Sequence, residues 1–436
     1  MVEGARSLGG SAAWGALFAC IACAPPDAVV SGAVRDQPAP LVAIVDRDAP
    51  GVVELYRTEE RPWLTPRPGI EVWLYDEPDS IALEPGRYAL GAPRPGMLTL
   101  PTPPRRLVAD EDAGWQSSTA AADPVHVRIE GCPIVEVREQ RLQEGDFPRV
   151  MLISNYSLSE YGDDAIFSFT SGRTGTRRIR LDGSIERARE YFIVGGHTLR
   201  DGRRYIFGTG AGVLAASTKT TVALDEVEWI VPDFQGLGLA ALPGSDAWVF
   251  LTDRGRYFGV GERAVGTRGP AIDVEKRQLA LLEPGLAAGL QAANVVRFDV
   301  DGIVSTTSPE LGKLTSLLHV PGLGLVAGSE AGRIAIERDE GWQTLPALEG
   351  ERRPVYTLVT QPRGFAVLYG SGRFVHVDGA GRACPAIDLA RQSTDGNNGV
   401  IGLAAAIGPC GGPDCRWRTT VLTLLPDRLV FVQPVE

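Results

Sequence analysis

Lysine is nearly missing from this chain. Lys219, Lys276 and Lys313 are the only three, and arginine supplies the rest of the 43 basic residues. The 54 acidic residues leave a net charge of −11. No basic stripe runs along any segment, and pairs such as Arg105-Arg106 and Arg177-Arg178 read as solvated surface. Nucleic-acid binding is driven by phosphate neutralisation, so the sequence argues against a nucleic-acid partner. Histidine is equally scarce, at His126, His197, His319 and His376, and a metal site needs three or four converging ligands. Asp299-Val300-Asp301-Gly302 begins like a calcium loop, but Ile303 stands where such a loop needs an oxygen. Gly328-Ser329-Glu330-Ala331-Gly332 lacks the spacing of a nucleophile elbow. The glycines at 208, 210 and 212 sit in a strand and its turn, not at a helix start, so they make no phosphate cradle. The sequence therefore names no catalytic residue, no cofactor site and no metal ligand. No apolar run reaches the roughly 20 residues that span a bilayer.

What is present is turn chemistry. Glycine (52) and proline (32) are abundant in a chain of 436 residues with ordinary apolar content, 44%. Helical 3.6-residue periodicity is scarce, and short apolar runs alternate with turn residues. The expected fold class is all-β.

The N-terminus has its own pattern. An apolar, small-residue run from Ala12 to Ala22 follows Arg6 and fits the core of an export signal. It ends in Leu17-Phe18-Ala19-Cys20-Ile21-Ala22-Cys23-Ala24-Pro25. This resembles the lipobox of bacterial lipoproteins, in which an apolar residue and two small ones precede the cysteine that is lipidated. Cys20 has Leu17 at the favoured position; Cys23 has the longer apolar run and abuts the Pro-rich segment. Lipidation at Cys23 leaves Cys132, Cys384, Cys410 and Cys415, an even set suited to an oxidising compartment. The resemblance implies a signal peptide over 1–23, a membrane tether through the N-terminal lipid and a place in the cell envelope. Neither Ile21 nor Ala24 is the Asp that marks inner-membrane retention in that family, so outer-membrane sorting is implied.

Residues 24–40 read as a linker. Over 41–125 short strands such as 41–45, 52–56, 70–75 and 97–100 alternate with Pro-Gly turns, which predicts a small antiparallel, sandwich-like β domain with a loose stretch near 109–123. Residues 126–147 read as a connecting segment in which Ile134 to Val137 is free to serve as a closing strand.

From residue 148 to 436 the chain repeats itself. Turn residues between two apolar strands recur at 172, 212, 255, 294, 332, 372 and 427, and each is Gly, Asn or Asp, the residues that reach positive φ most cheaply. A second marker keeps the same period: Pro243-Gly244, Pro284-Gly285, Pro321-Gly322 and Pro362-Arg363-Gly364, each expected just before the first strand of its unit. Two markers sharing a period near 40 residues resemble the blades of a β-propeller. Seven turns predict seven blades. The longest interval holds Cys410 and Cys415, which read as a local disulfide in an insertion; Cys132 and Cys384 would then pair and tie the closing segment to blade six or seven. The functional expectation is a propeller that binds or scaffolds an envelope protein or a glycan. The alternative is a hydrolase or lyase acting on polysaccharide or peptide at the central channel.

Overall fold

The computed structural model describes residues 41–435 apart from short stretches, the longest being 58–68, 76–82, 147–154, 219–226, 390–402 and 411–417. The export signal, Cys20, Cys23 and the linker lie outside the described residues. Among those described, every regular element is a β-strand.

Strands β1 (Leu41–Asp46), β2 (Val52–Arg57), β3 (Ile70–Leu74), β4 (Gly86–Gly91), β5 (Leu98–Leu100), β6 (Arg105–Asp110), β7 (Gly114–Ser118) and β8 (Val125–Val127) form one antiparallel sheet in the order β5-β8-β4-β2-β1-β3-β6-β7. Alternate residues point one way, so Ala43, Val45, Val53, Leu55, Trp73 and Tyr88 share a single core. Leu100, Val125 and Val127 belong to the same core, although β5 and β3 stand at positions one and six of the sheet. The sheet therefore curls, and the Tyr75 hydroxyl crosses the fold to donate to the Pro101 carbonyl at 2.7 Å. One curled sheet thus supplies both walls of the expected sandwich-like domain. The stretch read as loose is not loose throughout. Polar β7 pairs with β6 along its whole length, an edge strand that hydropathy does not reveal.

After β9 (Ile134–Arg141) the chain builds seven four-stranded antiparallel sheets. Blade 1 holds β10 (Asn155–Tyr161), β11 (Asp164–Thr170), β12 (Thr174–Ile179) and β13 (Ile185–Ala188). Blade 2 holds β14 (Ile193–Thr198), β15 (Arg204–Thr209), β16 (Gly212–Ser217) and β17 (Glu228–Pro232). Blade 3 holds β18 (Gly236–Ala241), β19 (Ala247–Thr252), β20 (Gly255–Val260) and β21 (Arg263–Arg268). Blade 4 holds β22 (Leu279–Glu283), β23 (Leu286–Gln291), β24 (Asn294–Phe298) and β25 (Ile303–Thr307). Blade 5 holds β26 (Leu314–Val320), β27 (Gly324–Ser329), β28 (Ile334–Arg338) and β29 (Gly341–Thr344). Blade 6 holds β30 (Val355–Gln361), β31 (Gly364–Tyr369), β32 (Arg373–Asp378) and β33 (Ile387–Asp388). Blade 7 holds β34 (Leu403–Cys410), β35 (Arg418–Leu424), β36 (Arg428–Val435) and, as its outer strand, β9. The first strands of successive blades touch in a closed circuit from β10 through β34 and back to β10. This is a seven-bladed β-propeller.

Burial explains why its second strands read so clearly. In β19 every residue is buried: Val249 and Leu251 pack towards blade 4, Trp248 and Phe250 towards blade 2. A strand covered on both faces must be apolar at every position, not at every second one. The period-40 turn positions mark the passage from second to third strand: 332 and 372 lie between the two strands, and 212, 255 and 294 open the third. Gly212, Gly332 and Gly372 have positive φ; in blade 4 that conformation falls to Ala292 instead. The Pro-Gly marker lies before the first apolar strand of its hairpin, as expected, but each blade has one more strand ahead of it, so the marker joins the blade's first strand to its second.

Ring closure joins the two ends of the repeat. β9 pairs with β36 over eight residues, from Ile134–Val435 to Arg141–Arg428. Its side chains then bridge to blade 1. Arg138 donates to the carbonyls of Leu181 and Asp182, and Gln140 to that of Gly183 at 2.7 Å. Cys132 and Cys384 form a disulfide across 252 residues, with both side chains buried. It holds the segment entering β9 to blade 6. Cys410 ends β34, and Cys415 is outside the described residues, so their pairing is not placed.

Candidate functional site

The strand ends of the propeller carry a belt of paired polar groups. Glu160 and His197 occupy the next-to-last positions of β10 and β14, facing each other across two blades. Nδ1 of His197 lies 3.0 Å from Glu160 Oε1, and Nε2 lies 2.8 Å from the Ser245 carbonyl. Both partners are acceptors, so both ring nitrogens must donate and the ring is an imidazolium. Burial pushes the His197 value down, but the bond to Glu160, its charge and the Ser245 carbonyl outweigh burial and raise it. Burial likewise pushes Glu160 up, but the His197 bond and the charges of His197 and Arg418 hold it below the usual carboxylate value. Arg418, buried at the start of β35, donates to Asp163 Oδ1 at 2.9 Å and to the Gly408 carbonyl at 2.8 Å. The Asp246 carboxylate accepts the Arg200 amide at 2.7 Å. Blades 7, 1, 2 and 3 are thus laced together at the end where first and second strands join.

This belt is spent on itself. His197 has no free lone pair to act as a base, and Arg418 is already held by three acceptor groups. The other histidines stand apart from this belt. His126 lies 2.8 Å from the Thr99 hydroxyl. His319 and His376 sit in β26 and β32, in different blades. Burial pushes His319 down and His376 down to about 4. Among the described residues no group of three metal-ligating side chains converges. Asp299 accepts the amides of Asp301 and Gly302, which makes the calcium-like stretch a turn closed on its own backbone. Asp164 is buried and accepts from Arg178 Nε at 2.7 Å. One reading of the sequence needs correction. Arg106 and Arg178, taken as solvated, are paired and largely buried.

The other end of the propeller is shaped by bulges. β14, β18, β26 and β30 each slip register at their start, leaving Val194, Leu237, Thr315 and Tyr356 as extra residues near the channel mouth. Neighbouring blades satisfy carbonyls beside two of these bulges: the Ser157 hydroxyl donates to Ile193, and Thr315 to Val355 at 2.7 Å. A hollow of about 20 Å³ lies between the N-terminal sheet and blades 6 and 7, walled by Gly96, Pro133, His376, Cys384 and Val432. A hollow of that size has room for a water and for no larger ligand.

The rim is the least expected surface. Six large apolar side chains are prominently exposed among the described residues, and five of them belong to the outer parts of blades 2, 3 and 4. They are Trp229 (54%), Val260, Val265 (71%), Ile303 (59%) and Val304. Of the three outer strands involved, β17 and β21 touch.

No protein-family model matches this chain, and comparison with curated proteins returns no match. Among solved structures, the crystal structure of Chaetomium thermophilum Raptor resembles it with a TM-score of 0.44 and 12% identity, over 65% of this chain and 28% of that one. The chain spans less than a third of that protein's length.

Proposed function

We propose that this chain is a lipid-anchored scaffold of the cell envelope whose propeller binds another envelope protein. The apolar rim of blades 2 to 4 carries the reading. Exposed apolar residues scattered singly are ordinary, but a concentration on adjacent elements marks an interaction surface. Val265 and Ile303 lie on outer strands, where a propeller gains nothing internally from valine or isoleucine. A tryptophan at the margin is the residue type that most often anchors a protein interface. The location rests on the lipobox-like residues before Cys20 and Cys23 and on the buried Cys132–Cys384 disulfide, a bond that persists in oxidising compartments. Binding is favoured over chemistry because the ionisable belt has its hydrogen-bonding capacity filled.

A photo-crosslinking residue at position 265, in the full chain in its native envelope, tests the reading. A discrete crosslinked protein should form from position 265 and not from exposed position 340 on blade 5. No product, or the same product from both positions, overturns it. Metabolic labelling with a palmitate analogue tests the anchor. The label should disappear in the Cys20→Ser/Cys23→Ser double variant, and its persistence there would exclude lipidation at this site.

A further inference from the structure

In a protein of net charge −11, three exposed arginines cluster at one end of blades 5 and 6, beside the Lys313–Glu330 pair. Arg333 lies in the turn between β27 and β28, and Arg352 and Arg353 lie in the crossover from blade 5 to blade 6. All three are exposed, and none has an acidic partner among the described residues. They are neighbours because Gly332 (φ 77°) lets the two backbones meet; a Cβ there would lie 2.7 Å from the Arg353 carbonyl oxygen. Beside them Tyr356, the bulged residue of β30, is 38% exposed. A Cβ on Gly370 would sit 3.2 Å from its ring and 3.4 Å from Pro354, so the ring lies close over this glycine beside the proline.

The arrangement is rigidly supported from below. Glu351 is buried beneath it, and its Oε1 accepts the amides of Arg352 and Arg353 at 3.0 and 2.8 Å. Its Oε2 accepts the Ser371 hydroxyl at 2.5 Å. The buried carboxylate fixes the turn that carries both arginines. The Thr315 hydroxyl holds the Val355 carbonyl, the residue next to Tyr356. A backbone held this way loses little further freedom on binding.

We propose that this patch docks a carboxylate-rich, extended segment of a partner protein. Three guanidinium forks match carboxylates in charge and geometry, and the Tyr356–Pro354 pair offers an apolar seat beside them. Three arginines are too few to overcome the overall negative charge for a nucleic acid, which engages many phosphates. The patch lies away from the apolar rim, so either surface can fail without the other.

The test uses fluorescence anisotropy of the full chain with a fluorescein-labelled peptide of six glutamates ending in tryptophan. Saturable binding should appear at low salt and weaken with ionic strength. The Arg333→Gln/Arg352→Gln/Arg353→Gln variant should bind at least about tenfold more weakly, and Tyr356→Ala should also weaken binding. Arg200→Gln/Arg203→Gln/Arg363→Gln removes the same charge from the opposite end and should bind like the parent. Three results would overturn the proposal: no saturable binding, equal weakening in both triple variants, or tighter patch-dependent binding of single-stranded DNA or anionic vesicles than of the peptide. Equal melting temperatures for the variants exclude misfolding as the cause.

Discussion

The Glu160–His197 pair makes the propeller's stability depend on pH in a calculable direction. His197 titrates above its ordinary value of 6.5, so its stabilisation is fully present below that value and is lost as pH rises through the raised one. Glu160 titrates below its ordinary 4.5, so its stabilisation is present above that value and is lost as pH falls through the lowered one. The pair is strongest between the two ordinary values. Replacing His197 by Gln keeps one neutral donor and removes the charge. Hydrogen bonds to charged groups contribute about 1.5–3 kcal/mol. Glu160 keeps about a quarter of its exposure, which screens part of this. A net loss of about 2 kcal/mol at pH 6 is expected, or roughly 4 °C in melting temperature for a unit of this size. As pH rises through the raised His197 value the parent ring loses its proton and must present a lone pair to an acceptor, so the difference between parent and variant should shrink. Differential scanning fluorimetry over a pH series upward from 6 measures this. A drop of equal size throughout the series, or none at pH 6, would refute the imidazolium assignment.

Other substitutions test the ring itself. Arg363 occupies the left-handed position (φ 65°) that glycine fills in the matching turns at Gly244, Gly285 and Gly322. Arg363→Gly should therefore stabilise the protein, by up to about 1 kcal/mol after glycine's own entropy is subtracted, as read by chemical denaturation. Gly183→Ala places a Cβ 1.6 Å from Gln140 Oε1 and should loosen the seam between β9 and blade 1. It should destabilise by more than Gly261→Ala, whose turn has open space; equal losses would count against the seam. Replacing Cys132 and Cys384 together by alanine removes a cross-link over 252 residues. The chain-entropy argument gives roughly 5 kcal/mol for a loop of that length, so a melting temperature insensitive to reductant would contradict it.

What the sequence revealed depended on how each strand is buried. The second strands, such as β19 and β31, are covered on both faces and stand out as unbroken apolar runs closed by Gly, Asn or Asp. The first strands hide. In β14 the residues are Ile-Val-Gly-Gly-His-Thr, and a Cβ on Gly196 would lie 1.8 Å from the Tyr205 hydroxyl, so packing against the second strand demands a residue that propensity scales reject. Bulges then break the period-2 alternation. Outer strands are short or polar, down to the two residues of β33. The polar belt was missed because its members are far apart in sequence, yet a signal was available. Glu160 precedes His197 by 37 residues, Thr315 precedes Val355 by 40 and Arg297 precedes Glu337 by 40. In the first and last of these pairs, complementary polar residues one repeat apart meet across adjacent blades. No comparable rule exposes the basic patch or the apolar rim, since surface residues follow a partner and not the repeat.

Native mass spectrometry of the full chain, extracted from its own membranes in mild detergent, tests the scaffold reading most directly. The parent should emerge bound to a second protein, and a Val265→Asp/Ile303→Asp variant with unchanged melting temperature should emerge alone. A parent that emerges alone, or a variant that keeps the companion, would contradict the account.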